Sequence, residues 1–475
     1  MFKNDLPTTP ATILDGGRHD PDRSRNMPLE TNPEPTVLSS SIINLSSEQL
    51  SNVQTTLDID SISKSSTQRD LKERYQTLQI IGKSIDYGYS IISTEEKTSG
   101  LKFDQIQDRL ESANSICIGD LHGSYQKLVE TLISSGFATM PKESAEKFVS
   151  LSQKFEELIT DNPYLENYSP QEAPKSAFER LMERMFKTAP KECPTAISQA
   201  KQLETELLGV VKTMRWTGDS GQKLILIGDI IGDRGISDTL TLSVLSHLSQ
   251  DNSDRFIRIA SNHDHCAATY LLNGERTMNR DESQQRALMI TSNPSELKDL
   301  YLSHLNQLKL LHYDKNSQTL YSHAPITPGN IEALIDNLKK EELIDPDFAY
   351  EDINKDTIGA FVEIANYFYK ETISFPFQNG LSMLDPVAEE TFNNPDDGFL
   401  WQRCHYTESE DLPLNGQGVQ TLVHGHDSGS GKDSPFSIDR KTNATQNSTK
   451  IVNLDNTVRK APGYKTTEDC RLFIQ

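Results

Sequence analysis

Five short stretches of this chain end in residues that bind metal ions or move protons. "GDLHG" presents Asp120 and His122, one residue apart and bounded by glycines. "GDIIGDRG" presents Asp229, Asp233 and Arg234. "SNHDH" offers Asn262 and His263, "YSHA" offers His323, and "VHGHD" offers His426. Together these are carboxylate, imidazole and amide donors, with no thiolate among them. Oxygen and nitrogen donors of this kind suit manganese, iron or zinc in an open catalytic site rather than a closed structural one. The glycines let the backbone turn sharply and let a metal or phosphate come close.

Something must hold these tips together, and the flanking residues say what. Six apolar runs precede polar tips: "SICI" before Gly119, "KLILI" before Gly228, "RFIRIA" before Ser261, "TLYS" before His323, "TLV" before His424 and "IVNL" before Asp455. Each is short and β-branched or aliphatic, which predicts buried strands flanked by helices in an α/β fold. Ligands at the carboxyl ends of strands are what α/β sheets provide.

About a hundred residues separate Gly123 from Gly228, far more than an ordinary connection. Phe148, Leu151, Phe155, Leu158 and Ile159 have helical spacing, as do Phe178, Leu181, Met182 and Met185, and then Ile197, Ala200, Leu203, Leu207, Val210 and Met214. These stripes predict an inserted helical hairpin at about 141–216, with "DNPYLENYSP" breaking its first two helices. The insertion is read as a structural decoration or, alternatively, as a substrate-docking element or lid. A second helical region is expected at about 330–370. Residues 1–68 are rich in Ser, Thr, Asn, Pro and Asp, and are read as a polar, disordered segment preceding a domain at 69–475.

The chain has 475 residues, only 35% of them hydrophobic, and a formal charge of −22. Such a field repels phosphate backbones, so nucleic acid is not an expected partner. Five scattered cysteines without a CxxC pair argue against a disulfide framework and for a reducing compartment. No thiol-nucleophile signature of the Cys-x5-Arg kind is present. No run approaches the ~18 apolar residues of a membrane span.

The tips in this order, GDxHG, then GD…DRG, then an Asn-His turn, then two single histidines, resemble the PPP phosphoprotein phosphatases within the calcineurin-like metallophosphoesterases. The insertion and the polar N-terminus are similar to those of the Wip-type phosphatase effectors secreted by Legionella. The resemblance implies a sandwich of two mixed β-sheets flanked by helices. It implies two divalent metal ions, manganese first, with iron or zinc as alternatives. Asp120 and His122 would bind one ion, Asp229 would bridge, and Asn262, His323 and His426 would complete the second site. His263 would protonate the leaving group, Asp233 would orient His263, and Arg234 would hold phosphoryl oxygens. Arg403, in "LWQRC", matches a W-x-R pattern and would be a second clamp.

Some positions depart from the family pattern. "GDIIGDRG" is one residue longer than GDxxDRG, and SNHD stands for GNHE. None of these changes removes a ligand. The implied activity is hydrolysis of phosphomonoesters on protein side chains, phosphotyrosine or phosphoserine/threonine, in the cytoplasm or, for an effector, in a host cell's cytosol. A small-molecule phosphohydrolase, such as a symmetrical dinucleoside tetraphosphatase, and a catalytically dead scaffold are the rival readings. His265 and His424 are expected to support or pack beside ligands. His247, His304, His312 and His405 are read as ordinary.

Overall fold

The computed structural model describes residues 73–475 except 166–192, 274–281, 375–390, 402–413, 427–436, 440–449, 456–469 and several shorter stretches, among them 233–235. The polar segment 1–68 and the stripe at Phe178–Met185 lie outside the described residues. The fold is mixed α/β, built around two larger sheets and one small ribbon.

The first sheet has seven strands: β1 (Tyr89–Ile92), β2 (Lys97–Leu101), β3 (Ser115–Ile118), β6 (Lys223–Leu226), β7 (Phe256–Ile259), β8 (Leu308–Lys309) and β14 (Cys470–Ile474), in the order β2-β1-β14-β3-β6-β7-β8. β3, β6, β7 and β8 run parallel, and β14 is antiparallel to β3. The second sheet holds β9 (Leu311–Asp314), β10 (Thr319–Ser322), β11 (Thr421–His424), β12 (Ser437–Asp439) and β13 (Lys450–Asn453), in the order β12-β13-β11-β10-β9. Its three middle strands are parallel. All six apolar runs read from the sequence are strands, three in each sheet.

Alternation decides what each strand faces, since successive side chains point to opposite sides. Cys117, Ile225, Ile257 and Ile259 of the first sheet join Tyr321, Val423 and Val452 of the second in one apolar cluster. Their neighbours Ile116, Leu224, Leu226, Leu320, Leu422 and Ile451 belong to a larger cluster shared with the helices. The strands are therefore covered on both faces, which is why they read as continuous apolar runs. Gln475 ties the two sheets: its Oε1 accepts from Ser115 Oγ at 3.3 Å and from Tyr321 Oη at 3.0 Å.

Helices fill the connections. α1 (Tyr125–Ser134) follows β3, and the insertion contributes α2 (Lys142–Asp161) and α3 (Cys193–Val211). The strands β4 (Ala138–Thr139) and β5 (Arg215–Trp216) pair antiparallel where the insertion leaves and rejoins the fold, with Trp216 stacked on Phe137 at 4.9 Å. Then come α4 (Asp238–Ser249), α5 (Asn262–Asn273), α6 (Glu282–Ile290), α7 (Pro294–Leu305), α8 (Pro328–Lys340) and α9 (Ile358–Tyr369). Thr327 starts α8 with a reciprocal capping box to Asn330, just before the apolar stripe Ile331, Leu334, Ile335 and Leu338. No helix among the described residues is long and apolar enough to cross a membrane.

One buried acid in α3 gives a measurable pH dependence. Glu204 is 3% exposed and accepts from Ser237 Oγ at 2.8 Å. Burial pushes its carboxyl up to about 7, and Ser237 and Arg286 offset only part of that. A carboxyl raised above its ordinary value near 4.5 gives its full stabilisation below that pH and loses it as pH rises through about 7. Glu204→Gln keeps an acceptor for Ser237 and does not ionise. From about pH 5 to about pH 8, wild type is expected to lose roughly 2–3 kcal/mol relative to this variant. Urea unfolding of both proteins at the two pH values checks it.

Candidate metal centre

Five of these strands deliver their tips to one place. β3 runs into Asp120 and His122, β6 into Asp229, and β7 into Asn262 and His263. From the second sheet, β10 runs into His323 and β11 into His426. Asp120, His122, Asp229, Asn262, His263, His323 and His426 are all buried. Backbone bonds hold the turns against one another: His122 N–H donates to Asp229 O at 2.5 Å, Gly123 N–H to Ile230 O at 2.9 Å, and Gly425 N–H to His323 O at 2.7 Å. His426 N–H donates to Asp120 Oδ2 at 3.3 Å, joining a tip of each sheet.

Asp229 is the centre of the cluster. Its Oδ2 lies 3.5 Å from His122 Nε2 and 3.9 Å from His263 Nε2, and its Oδ1 lies 3.3 Å from His323 Nε2. Burial alone would raise this carboxyl, but His263, His323, His122 and His426 together hold it far below the usual carboxylate range. Asp229 is thus a fixed negative charge among imidazoles. His323 Nδ1 sits 3.1 Å from Ile227 O and donates to it, which leaves the Nε2 lone pair beside Asp229 Oδ1 and Asn262 Oδ1, 3.3 and 3.0 Å away, as three electron-pair donors that a cation could share. A backbone carbonyl on the far nitrogen is the usual way a metal-binding histidine is oriented.

Two groups of side chains present donor atoms within 4.8 Å of one another: His122, Asp229 and His263, and Asp229, His323 and His426. The donors are hard or intermediate and buried, so they fit divalent metal ions of the manganese, iron or zinc type. Backbone strain points the same way. Among the described residues six non-glycine residues have positive φ, and three of them are His122 (47°), Asp229 (44°) and His426 (57°). Such conformations cost roughly 1–3 kcal/mol each and persist where the surroundings demand them.

Gly228 shows how little space the site leaves. Its φ is 110°, and a Cβ there would run into the His323 ring and Ser261. Gly228→Ala is expected to turn His323 away from Asp229 and to weaken manganese binding about tenfold or more. Titration calorimetry with manganese reads the affinity, and circular dichroism confirms that the fold persists.

The two departures in SNHD have a structural reason. Ser261 precedes α5 and its hydroxyl accepts Asp264 N–H at 3.2 Å, an N-cap that glycine could not supply. The same hydroxyl donates to Asp264 Oδ2 at 2.7 Å. Asp264 Oδ1 then receives His304 Nε2–H at 3.0 Å, and His304 Nδ1 faces Arg258 Nη1 at 3.4 Å. His304 is thus part of a buried polar chain next to His263, a role that its place in an ordinary helix does not announce. Burial lowers its pKa, against the pull of Asp264, so it is neutral and donates. Trp401 meets His426 edge-on at 6.0 Å. Asp233, Arg234 and Arg403 lie outside the described residues.

A family model described as WipA-like, phosphatase domain, matches residues 223–460. The chain belongs to this family. The WipA-like match begins at the first residue of β6, so it includes Asp229, Asn262, His263, His323 and His426, while Asp120 and His122 lie before it. Among solved structures, the phosphatase domain from the Legionella effector WipB is 20% identical, covering 66% of this chain and 99% of that one, with a TM-score of 0.44. A mutant cold-active protein tyrosine phosphatase is 13% identical over 79% of this chain and 80% of that one, with a TM-score of 0.34. The cold-active protein-tyrosine phosphatase of a psychrophilic Shewanella is 13% identical over 66% and 65%, with a TM-score of 0.29. Nothing among curated proteins matches. As a WipA-like member, the chain carries a phosphatase domain.

Proposed function

We propose that this chain is a protein phosphatase of the PPP type, within the calcineurin-like metallophosphoesterases, working with two divalent metal ions. Asp229 carries the reading: its carboxylate belongs to both donor groups, one with His122 and His263 and one with His323 and His426. A carboxylate common to two donor sets is what neighbouring metal ions need. Asp120 and His122 would hold one ion, Asn262, His323 and His426 the other, and Asp229 both. Manganese is the first choice. When bound, such a pair supplies a nucleophile at neutral pH and offsets charge on the phosphoryl oxygens.

The chain's own groups do the rest. His263 is 7% exposed, more than any other proposed site residue among those described, and has the access a proton donor needs. It protonates the departing oxygen, which matters most for alkoxides. Asp233 orients it, and the guanidinium forks of Arg234 and Arg403 hold the phosphoryl oxygens. Two sheets sharing one apolar layer agree with a calcineurin-like sandwich. The substrate is a phosphorylated protein side chain, with the helical insertion as a docking element. The polar N-terminal segment and the family favour an effector that acts in a host cytosol.

The deciding experiment offers wild type with manganese a phosphotyrosine peptide, a phosphothreonine peptide and p-nitrophenyl phosphate, with Asp229→Ala as control. Metal-dependent release from either peptide supports the reading, and their ratio sets the class. Turnover of p-nitrophenyl phosphate alone points to a small-molecule phosphohydrolase, and silence on all three overturns the enzyme.

A further inference from the structure

Behind the metal-binding turns lies a set of buried polar groups that the chemistry above leaves unused. Asp238, the first residue of α4, is fully buried. Its Oδ1 accepts Gly232 N–H at 3.2 Å, and its Oδ2 accepts the Tyr301 hydroxyl of α7 at 2.8 Å. Burial pushes the Tyr301 phenol up and Asp238 pushes it further, so this hydroxyl stays protonated and donates.

The Asp238 carboxylate touches both turns of the first sheet's metal site. It lies against Gly123, the residue after His122, so closely that a Cβ at Gly123 would overlap it. On its other side it holds Gly232. A Cβ built on Gly232 would lie 3.2 Å from His122 Nδ1 and 3.3 Å from His263 Nδ1, so that backbone packs on both imidazoles. One residue back, Ser237 caps α4 by accepting Leu240 N–H at 3.1 Å and donates to Glu204 Oε1 at 2.8 Å. Arg286 of α6 donates from Nη1 to Ile236 O at 3.0 Å. A continuous line of buried contacts thus runs from α3, a helix of the insertion, to His122 and His263.

We propose that Asp238 is a positioning residue for His122 and His263, and that Glu204 of the helical insertion braces it through Ser237. The inference rests on the reading of this site as a metal-dependent phosphatase. Truncating Asp238 leaves Gly232 N–H buried without its acceptor, and the turn relaxes to find another. Misplacement of about 1 Å can cost a site on the order of 10²-fold. The loss must fall hardest where His263 is needed most, on substrates whose leaving group has a high pKa.

The test measures kcat and KM of wild type, Asp238→Ala and Asp238→Asn at saturating manganese, on p-nitrophenyl phosphate and on a phosphothreonine peptide. Asp238→Ala is expected to lose about tenfold in kcat on the aryl ester and about 100-fold on the peptide, with KM little changed. Asp238→Asn, which can still accept from Gly232 and meet the Tyr301 hydroxyl, is expected to recover most of the loss. Glu204→Leu is expected to repeat the pattern at about threefold to fivefold, and Glu204→Gln to rescue it. Equal losses on the two substrates, or an Asn variant as poor as Ala, overturn the positioning role. A Glu204→Leu protein equal to wild type overturns the brace. Should Asp238→Ala fail to fold, Tyr301→Phe removes only the hydroxyl behind the carboxylate and decides by the same substrate ratio. Wild type inactive on both substrates would sink the phosphatase reading itself, whereas an active wild type with uniform variant losses sinks this inference alone.

Discussion

On the proposed two-metal reading, Asp229→Ala is expected to lose metal binding and at least ~10³-fold of turnover. The expectation follows from the place of one carboxylate among four imidazoles. Its two oxygens face opposite ways, Oδ2 toward His122 and His263 and Oδ1 toward His323. Removing it takes away the only carboxylate shared by the two donor groups among the described residues, and so a ligand of both proposed ions. Asp120 is then the one carboxylate left in the proposed ligand set, too little negative charge to offset two divalent cations. Backbone damage is expected to be slight, because the turn is held by the Asp229 carbonyl, which accepts His122 N–H at 2.5 Å and Leu121 N–H at 3.1 Å. Elemental analysis of the purified variant reads the metal, and p-nitrophenyl phosphate reads the rate. Full metal content with a normal rate would remove Asp229 from the site.

His263→Ala should behave in the opposite way, keeping metal while losing turnover. His263 lies 3.9 Å from Asp229 Oδ2, farther than His122 or His323 stands from that carboxylate, and it begins a helix rather than ending a strand. Its ring stands edge-on to His122 with centroids 5.1 Å apart, near the ligands yet at the more open side. A proton donor contributes about 10²–10⁴-fold when the leaving oxygen is a poor one. The loss is therefore expected near 10³-fold on a phosphothreonine peptide and far smaller on p-nitrophenyl phosphate, whose phenolate departs readily. Retained manganese with a leaving-group-dependent loss assigns His263 as the acid. Lost manganese would make it a ligand of the His122–Asp229 group instead.

Much of the centre is legible in the residues alone, because the chemistry sits at strand ends. "SICI" and "TLYS" coincide with β3 and β10 residue for residue, and their buried, β-branched or aromatic character allows little else. What such runs do not reveal is their partition. Period-two alternation looks the same in either sheet, so nothing local says that β10, β11 and β13 leave the sheet of β3, β6 and β7. β1, β9 and β14 are hard to see for a related reason: "YSII", "LHYD" and "CRLFI" are short, mixed in polarity and carry no metal-binding tip. The buried role of His304 depends on α7 docking beside Asp264, a contact forty positions away. Asp238 stands at the start of a helix, where an acid is ordinary. Only the approach of two glycine turns gives it a further duty. The positive φ of His122, Asp229 and His426 is a tertiary property too, imposed by neighbours rather than residue type.

The position of β14 sets the order in which the molecule can be assembled. Leu472 pairs with Ile118, roughly 350 positions away, and the strand that makes this pair fills the gap between β1 and β3. A nascent chain can therefore translate Asp120, Asp229, His263 and His426 and still have a split sheet, with the backbone edges of β1 and β3 exposed. Such edges recruit other strands readily, which makes the half-made sheet an aggregation hazard for a chaperone to cover. Closure over so long a loop is slow, and the turn of Asp120 and His122 hangs from the strand that waits for it. A chain cut before residue 470 is expected to leave β1 and β3 unjoined, with two unpaired edges inside what is otherwise a seven-stranded sheet.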